Sequence, residues 1–280
     1  MRKISTEKII ETVKTLLLDA NFSMPRDVLQ KIKTAYSKEK NPRAKKILKQ
    51  ILENEKIACR EKIPLCQDTG TAVVFLEVGQ DIQIFGGNLI DTINEGVRQA
   101  YKKGYLRNSI VFDPLERKNT NDNTPAIIHT EIVAGDKLKI SVLVKGGGAE
   151  NMSQLKMFTP SSTINDIINF IIETVKNAGA NACPPIIVGI GLGGTFDTVG
   201  LLAKKALLRK LDSKNPKKFY RKLEDKILLK INKTGLGSMA IGGTTTALSV
   251  LIEVKSTHIT SLPVAVNLQC YALRRKSIVL

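Results

Sequence analysis

Cys66 lies in Pro64-Leu65-Cys66-Gln67-Asp68-Thr69-Gly70, Cys183 in Ala182-Cys183-Pro184-Pro185, and Cys270 in Asn267-Leu268-Gln269-Cys270. The three are far apart in sequence, whereas ferredoxin-like carriers draw their cluster ligands from tight cysteine spacing within one loop. Scattered thiolates gathered by a fold suit an iron–sulfur cluster that leaves one iron without a protein ligand. Such an iron acts as a Lewis acid rather than an electron relay. The alternative reading is that each cysteine is a small buried apolar residue. The polar turn after Cys66, and the two prolines that keep Cys183 out of a helix, weigh against it. Cys59, in a charge-rich helix end, reads as structural.

Asp68 stands two residues from Cys66, well placed to move a proton on a substrate held at a metal. It could equally cap its own turn by accepting from the amides of Gly70 or Thr71. Gly146-Gly147-Gly148 and Gly191-Leu192-Gly193-Gly194-Thr195 let backbone amides approach a small anion or a cluster sulfide, or simply form tight turns. Neither is a dinucleotide or nucleoside-triphosphate fingerprint. Arg107, in Leu106-Arg107-Asn108-Ser109, is suited to clamp a carboxylate through paired hydrogen bonds. His258 is one of only two histidines, and is either a proton shuttle or a satisfied structural imidazole.

The elements that must position these residues follow from periodicity. Residues 1–60 read as helices: Ser5 or Thr6 caps a first, Pro25 fits the first turn of a second, and Asn41-Pro42 opens a third. Residues 71–79 read as a strand and 88–103 as a helix. Residues 126–134 and 137–145 read as two strands joined in a hairpin at Gly135-Asp136, followed by a loop over 145–151. Then come a helix over 163–178, a strand over 186–190, helices over about 199–211 and 217–233, and a strand over 246–254. The expected class is α+β: a helical part over about 1–60 and a mixed part over about 61–280, forming one large domain over residues 1–280.

Composition narrows the function classes. The 280 residues are 42% hydrophobic and 25% charged, as expected of a globular protein. No apolar run long enough to span a bilayer and no signal core is apparent, so a cytoplasmic location is expected, with no membrane partner. Four cysteines are too few for a disulfide scaffold. The net charge of +17 admits a nucleic-acid binder. However, the lysines are interleaved with glutamates on helices, and aromatics are only 5%, with no Trp. Solvated helix faces, an acidic partner subunit or an anionic substrate explain the charge better than nucleic acid does.

Taken together, Cys66-Gln67-Asp68-Thr69-Gly70-Thr71, Lys145-Gly146-Gly147-Gly148-Ala149-Glu150-Asn151, Ala182-Cys183-Pro184-Pro185, Gly191-Leu192-Gly193-Gly194-Thr195 and Ser261-Leu262-Pro263-Val264-Ala265-Val266-Asn267 resemble the iron–sulfur hydro-lyases of class I. These comprise class I fumarate hydratase and L(+)-tartrate dehydratase. The resemblance runs from about residue 5 to the end of the chain, and is to the α subunit, or N-terminal domain, of these enzymes. It implies a [4Fe–4S] cluster on Cys66, Cys183 and Cys270, with the substrate's carboxylate and hydroxyl on the fourth iron. It also implies that Gln67 and Asp68 face substrate, with Asp68 handling a proton, and that Arg107 holds a carboxylate. The loop Gly146–Gly148 would contact a C4 dicarboxylate, and His258 would lie near the site. The base and further clamps would come from a separate β subunit, in a hetero-oligomer. The implied reaction is reversible hydration of fumarate to L-malate, a step of the tricarboxylic acid cycle. The alternative is conversion of tartrate to oxaloacetate.

Overall fold

The computed structural model describes residues 2–280; Met1 lies outside them. The chain begins with β1 (Arg2–Ser5), α1 (Thr6–Phe22), α2 (Arg26–Lys38) and α3 (Pro42–Glu61). It continues through β2 (Thr71–Gly79), β3 (Ile82–Phe85), α4 (Leu89–Lys103), β4 (Ile127–Val133), β5 (Leu138–Lys145), the single turn α5 (Gly147–Asn151) and β6 (Gln154–Phe158). The remainder is α6 (Ile164–Ala178), β7 (Ile186–Gly193), α7 (Phe196–Ala206), α8 (Lys218–Asn232), β8 (Ala247–Lys255), β9 (Leu262–Gln269) and β10 (Arg274–Val279). Helices and mixed sheets together give an α+β fold.

Helix starts fall where side chains can satisfy free amides. The Ser5 hydroxyl accepts from Lys8 N at 3.3 Å, Asn41 Oδ1 from Arg43 N at 2.9 Å, and Asn88 Oδ1 from Ile90 N at 2.8 Å. Thr163 and Asp166 form a reciprocal capping box on α6. Pro25 precedes α2 by one residue rather than sitting in its first turn.

Two compact units form. The first comprises the described residues up to Pro25, Asn54–Gly147 and Arg274–Leu280. Its main sheet has the order β10-β5-β2-β4, with β2 antiparallel to β5 and parallel to β4, while β1 and β3 pair separately. Ile9, Val13 and Leu17 of α1 and Ile93, Val97 and Ala100 of α4 close a core over Val74, Leu76, Ile140 and Val142. Each fully buried aliphatic side chain contributes about 1.5–3 kcal/mol. The hairpin expected at Gly135-Asp136 does not form, because β2 lies between β4 and β5. The connecting turn instead folds over the end of β2. Gly79 N donates to Lys137 O at 2.9 Å and Asp81 N to Gly135 O at 3.0 Å. A Cβ on Gly79 would meet Gly135 O at 2.3 Å.

The second unit comprises Arg26–Glu53 and Gly148–Leu273, around a sheet of order β6-β9-β7-β8. Strand alternation sends Val188, Ile190 and Leu192 of β7 to one face, against Ile168, Ile171 and Val175 of α6 and Ile227 and Ile231 of α8. Gly189 and Gly191 point to the other face, where α7 lies so close that a Cβ on them would meet Ala203 O and Val199 O at 2.2 Å. Gly191–Gly193 are therefore the end of a packed strand, not the anion-binding loop their composition suggests. Gly193 likewise abuts Lys255 O. Residues 147–151, expected as loop, make one helical turn. Among the described residues, no helix is long and apolar enough to cross a membrane.

Candidate active site

In the first unit, the segment from Leu65 to Gly70 is a turn held at both ends and at Asp68 by hydrogen bonds to its backbone. Leu65 N donates to Asn21 O at 2.9 Å, and Leu65 O accepts from Asn54 Nδ2 at 2.9 Å. Asp68 O accepts from Arg274 Nη1 at 2.8 Å. The Tyr101 hydroxyl donates toward Thr69 O at 2.6 Å and Gly70 O at 2.8 Å, and Asn123 Nδ2 reaches Gly70 O at 3.2 Å. Burial pushes the Tyr101 hydroxyl far above its ordinary value of 10, against the opposing pull of the Arg274 charge. It therefore stays a protonated donor. Gly70 has φ +65°, and a Cβ there would meet Lys145 O at 2.6 Å, so this turn requires glycine.

The Asp68 carboxylate bridges two backbone segments. Oδ1 accepts from Gly70 N at 3.0 Å, the turn cap anticipated as its simpler role, and Oδ2 accepts from Gly147 N at 2.8 Å. Gly146 lies against it, with a Cβ position 3.1 Å from Oδ2. Arg107 is anchored beside the turn by its backbone, as its carbonyl accepts from Thr69 Oγ1 at 3.0 Å. Its side chain is exposed, and its guanidinium makes no hydrogen bond or ion pair among the described residues. Cys66 is half-buried and bonds to Gln67 Oε1 at 3.5 Å, and Gln67 is exposed. The first unit thus gathers Cys66, Gln67, Asp68, Arg107, Gly146 and Gly147.

In the second unit, β7 and β9 run antiparallel with Ile187 opposite Gln269. Cys183, just before β7, and Cys270, just after β9, therefore lie at the same end of the sheet. Cys183 is exposed and held at φ 51°, ψ 65°, by a turn in which its amide bonds Ala180 O at 2.9 Å. A left-handed backbone at a residue other than glycine costs about 1–3 kcal/mol and marks a position whose orientation matters. Gly148 adjoins this turn, a Cβ on it being 3.2 Å from Asn181 O. The same segment is tied to β9: Asn267 Nδ2 donates to Glu150 Oε2 at 2.9 Å, and Leu268 N to Ser153 Oγ at 3.1 Å. Lys204 Nζ pairs with Glu150 Oε1 at 2.5 Å.

His258 is not brought to that end. It follows β8 and precedes β9, exposed, with Nδ1 bonded to Thr260 Oγ1 at 2.8 Å. Strand β9 separates it from Cys270 by eight residues, roughly 25 Å of extended chain. Gly194 and Thr195 lie at the same far end. Cys59 is exposed on α3 rather than packed in a core.

None of the four cysteines is in a disulfide. Cys66, in the turn between α3 and β2, Cys183, just before β7, and Cys270, just after β9, are partly or wholly exposed thiols, which suits them as donors to a soft metal group. Among the described residues, no three His, Cys, Asp or Glu side chains form a site for a single metal ion. The residues that sequence reasoning missed are supporting ones: Asn21, Tyr101, Asn123 and Arg274. Tyr101 carries the signature of a core residue and Arg274 that of a basic tail. Only the fold shows that both serve the Asp68 turn.

The fumarate hydratase (fumerase) family profile matches residues 10–279. A protein of Methanocaldococcus jannaschii, named provisionally as L(+)-tartrate dehydratase subunit alpha, is 44% identical over 276 residues, covering 96% of each chain. The L(+)-tartrate dehydratase subunit alpha of Escherichia coli K12 is 30% identical over 274 residues, covering 97% of this chain and 90% of its own, and that of Shigella sonnei matches equally. With that match spanning nearly every residue that builds the two site segments, the chain belongs to the fumarate hydratase family of hydro-lyases.

Proposed function

We propose that this chain is the α subunit of a two-subunit hydro-lyase that hydrates fumarate reversibly to L-malate, with a [4Fe–4S] cluster ligated by Cys66, Cys183 and Cys270. The observation that carries the reading is the Asp68 turn. A carboxylate two residues from a free thiol is held by the amides of Gly70 and Gly147, with an unpaired guanidinium, Arg107, anchored next to it. The cluster, when bound, supplies a Lewis acid for the hydroxyl that leaves or adds.

The chain's own residues supply the rest. Arg107 receives a substrate carboxylate in a two-point contact. Gln67, exposed at the turn, faces the substrate, and the Gly146–Gly148 segment offers backbone contacts. Asp68 carries the proton that accompanies the hydroxyl, its carboxylate fixed in direction by two amides so that little reorganisation precedes transfer. A base for the carbon-bound proton has no candidate in this constellation. Within the second unit, His258 lies at the opposite end of β9 from Cys270. The names of the relatives, each an alpha subunit, support assigning that base to a separate β subunit.

The relatives' names also favour a second reading, dehydration of L(+)-tartrate to oxaloacetate. Both substrates are C4 dicarboxylates, and the added hydroxyl is what the site must read. Steady-state rates on the anaerobically reconstituted pair of subunits separate the two. The fumarate reading expects kcat/KM for fumarate and L-malate to exceed that for tartrate by tenfold or more; the reverse ratio selects tartrate. Either outcome requires the isolated chain to be inactive and the pair active. Robust turnover by the chain alone overturns the two-subunit assignment.

A further inference from the structure

We propose that Arg274 is a positioning residue for the Asp68 turn, locking the backbone that carries Cys66 and Asp68 into one orientation. The inference deepens the reading above and rests on it for its catalytic consequence. Arg274 opens β10 and is 1% exposed, so it cannot itself touch a substrate. Its Nη1 donates to Asp68 O at 2.8 Å and to Asn21 Oδ1 at 3.1 Å, while its Nε is buried with no partner.

Neither acceptor is charged, so the guanidinium is taken out of water without a direct ion pair. That is a costly arrangement which an apolar side chain of similar length would avoid. The cost is intelligible if Nη1 is needed where it points. Asn21 is wholly buried, its Nδ2 is tied to Leu17 O, and its carbonyl holds Leu65 N at the head of the turn. Arg274 therefore bonds the middle of the turn and the same asparagine that holds its start. Its Nη2 also stands 3.6 Å from the position a Cβ on Gly146 would occupy, with Asp68 Oδ2 3.1 Å from the same point. A side chain at 146 would therefore crowd the carboxylate and stand in contact with the guanidinium.

The test compares Arg274→Met and Arg274→Lys with the unaltered full chain. Hydrogen exchange is resolved at the amides of Leu65, Gly70 and Gly147, with Leu138 and Leu280 as controls because they pair β5 with the chain end after β10. The proposal expects at least tenfold loss of protection at the three turn amides in Arg274→Met. In Arg274→Lys, whose amine ends one bond before the position of Nη1, the loss is at least threefold. The controls change less than twofold in both. Unchanged turn amides, or equal loss at turn and controls, overturns it. If the methionine variant does not fold, the lysine variant decides by the same criterion. With the β partner and cluster restored, kcat should fall at least tenfold, with KM within threefold and iron content unchanged. Loosened turn amides with unaltered kcat would leave the positioning role standing and refute instead the assignment of Asp68 to catalysis.

Discussion

The Asp68 carboxylate spends both oxygens on backbone amides, one within its own turn and one at Gly147. Asn accepts through only one oxygen, so Asp68→Asn keeps the turn cap while losing the charge and one of the two contacts. It is expected to lower kcat by about 10²–10⁴ with the fold intact. Arg107→Lys replaces a planar fork by a point charge and should raise KM about tenfold at nearly constant kcat. Equal losses of kcat in both variants would merge the two roles. A second carboxylate acts on stability instead. Glu39 is buried, and its oxygens accept from Lys40 N, Asn41 N, Thr244 N and Thr244 Oγ1 at 2.9–3.0 Å. Burial pushes its pKa up, but the hydrogen bonds from Asn41, Thr244 and Lys40 outweigh it and hold it below the ordinary 4.5. A depressed folded value means stability that is fully present above 4.5 and lost as pH falls through the lower folded value. Denaturation of Glu39→Gln against the parent should therefore show a deficit at pH 7 that shrinks below about pH 4.5. A pH-independent deficit would contradict it.

At the scale of elements, the glycines of β7 show how packing decides what composition alone leaves open. Gly189→Ala drives a methyl into Ala203 O of α7, and should destabilise by about 1–3 kcal/mol or more, since backbone rather than a flexible tip must move. Gly200→Ala, on α7 itself with nothing within 4 Å of the new methyl, should instead be neutral or stabilise by about 0.5–1 kcal/mol. Urea denaturation of the two variants checks the sign difference. Most helices were legible because their caps are local: Ser5, Asn41 and Asn88 announce helix starts with a side chain and its own next turn. Strand β2 was legible from its apolar run. What could not be read was pairing. The adjacency of β4 and β5 in sequence suggests a hairpin, yet the core places β2 between them. Strands β6, β9 and β10 carry no turn signal that separates them from loop. The thiols, Asp68 and Arg107 could be singled out by residue type. Tyr101, Asn123 and Arg274 could not, because their value lies in which carbonyl each one meets.

For the whole molecule, two units each present one part of the proposed machinery: Cys66 with Asp68 and Arg107 in the first, Cys183 and Cys270 with Gly148 in the second. The 43 basic against 26 acidic residues suit solvated helix faces first, and an acidic partner subunit or an anionic substrate second. The central claim is that three distant cysteines hold one inorganic cofactor. Its most direct measurement is iron and acid-labile sulfide on the anaerobically reconstituted full chain, beside Cys183→Ser and Cys59→Ser. The account predicts the iron and sulfide of one [4Fe–4S] cluster per parent chain, with broad visible absorption that Cys59→Ser keeps and Cys183→Ser loses. A colourless parent protein, or a Cys183→Ser variant with undiminished iron, would contradict it.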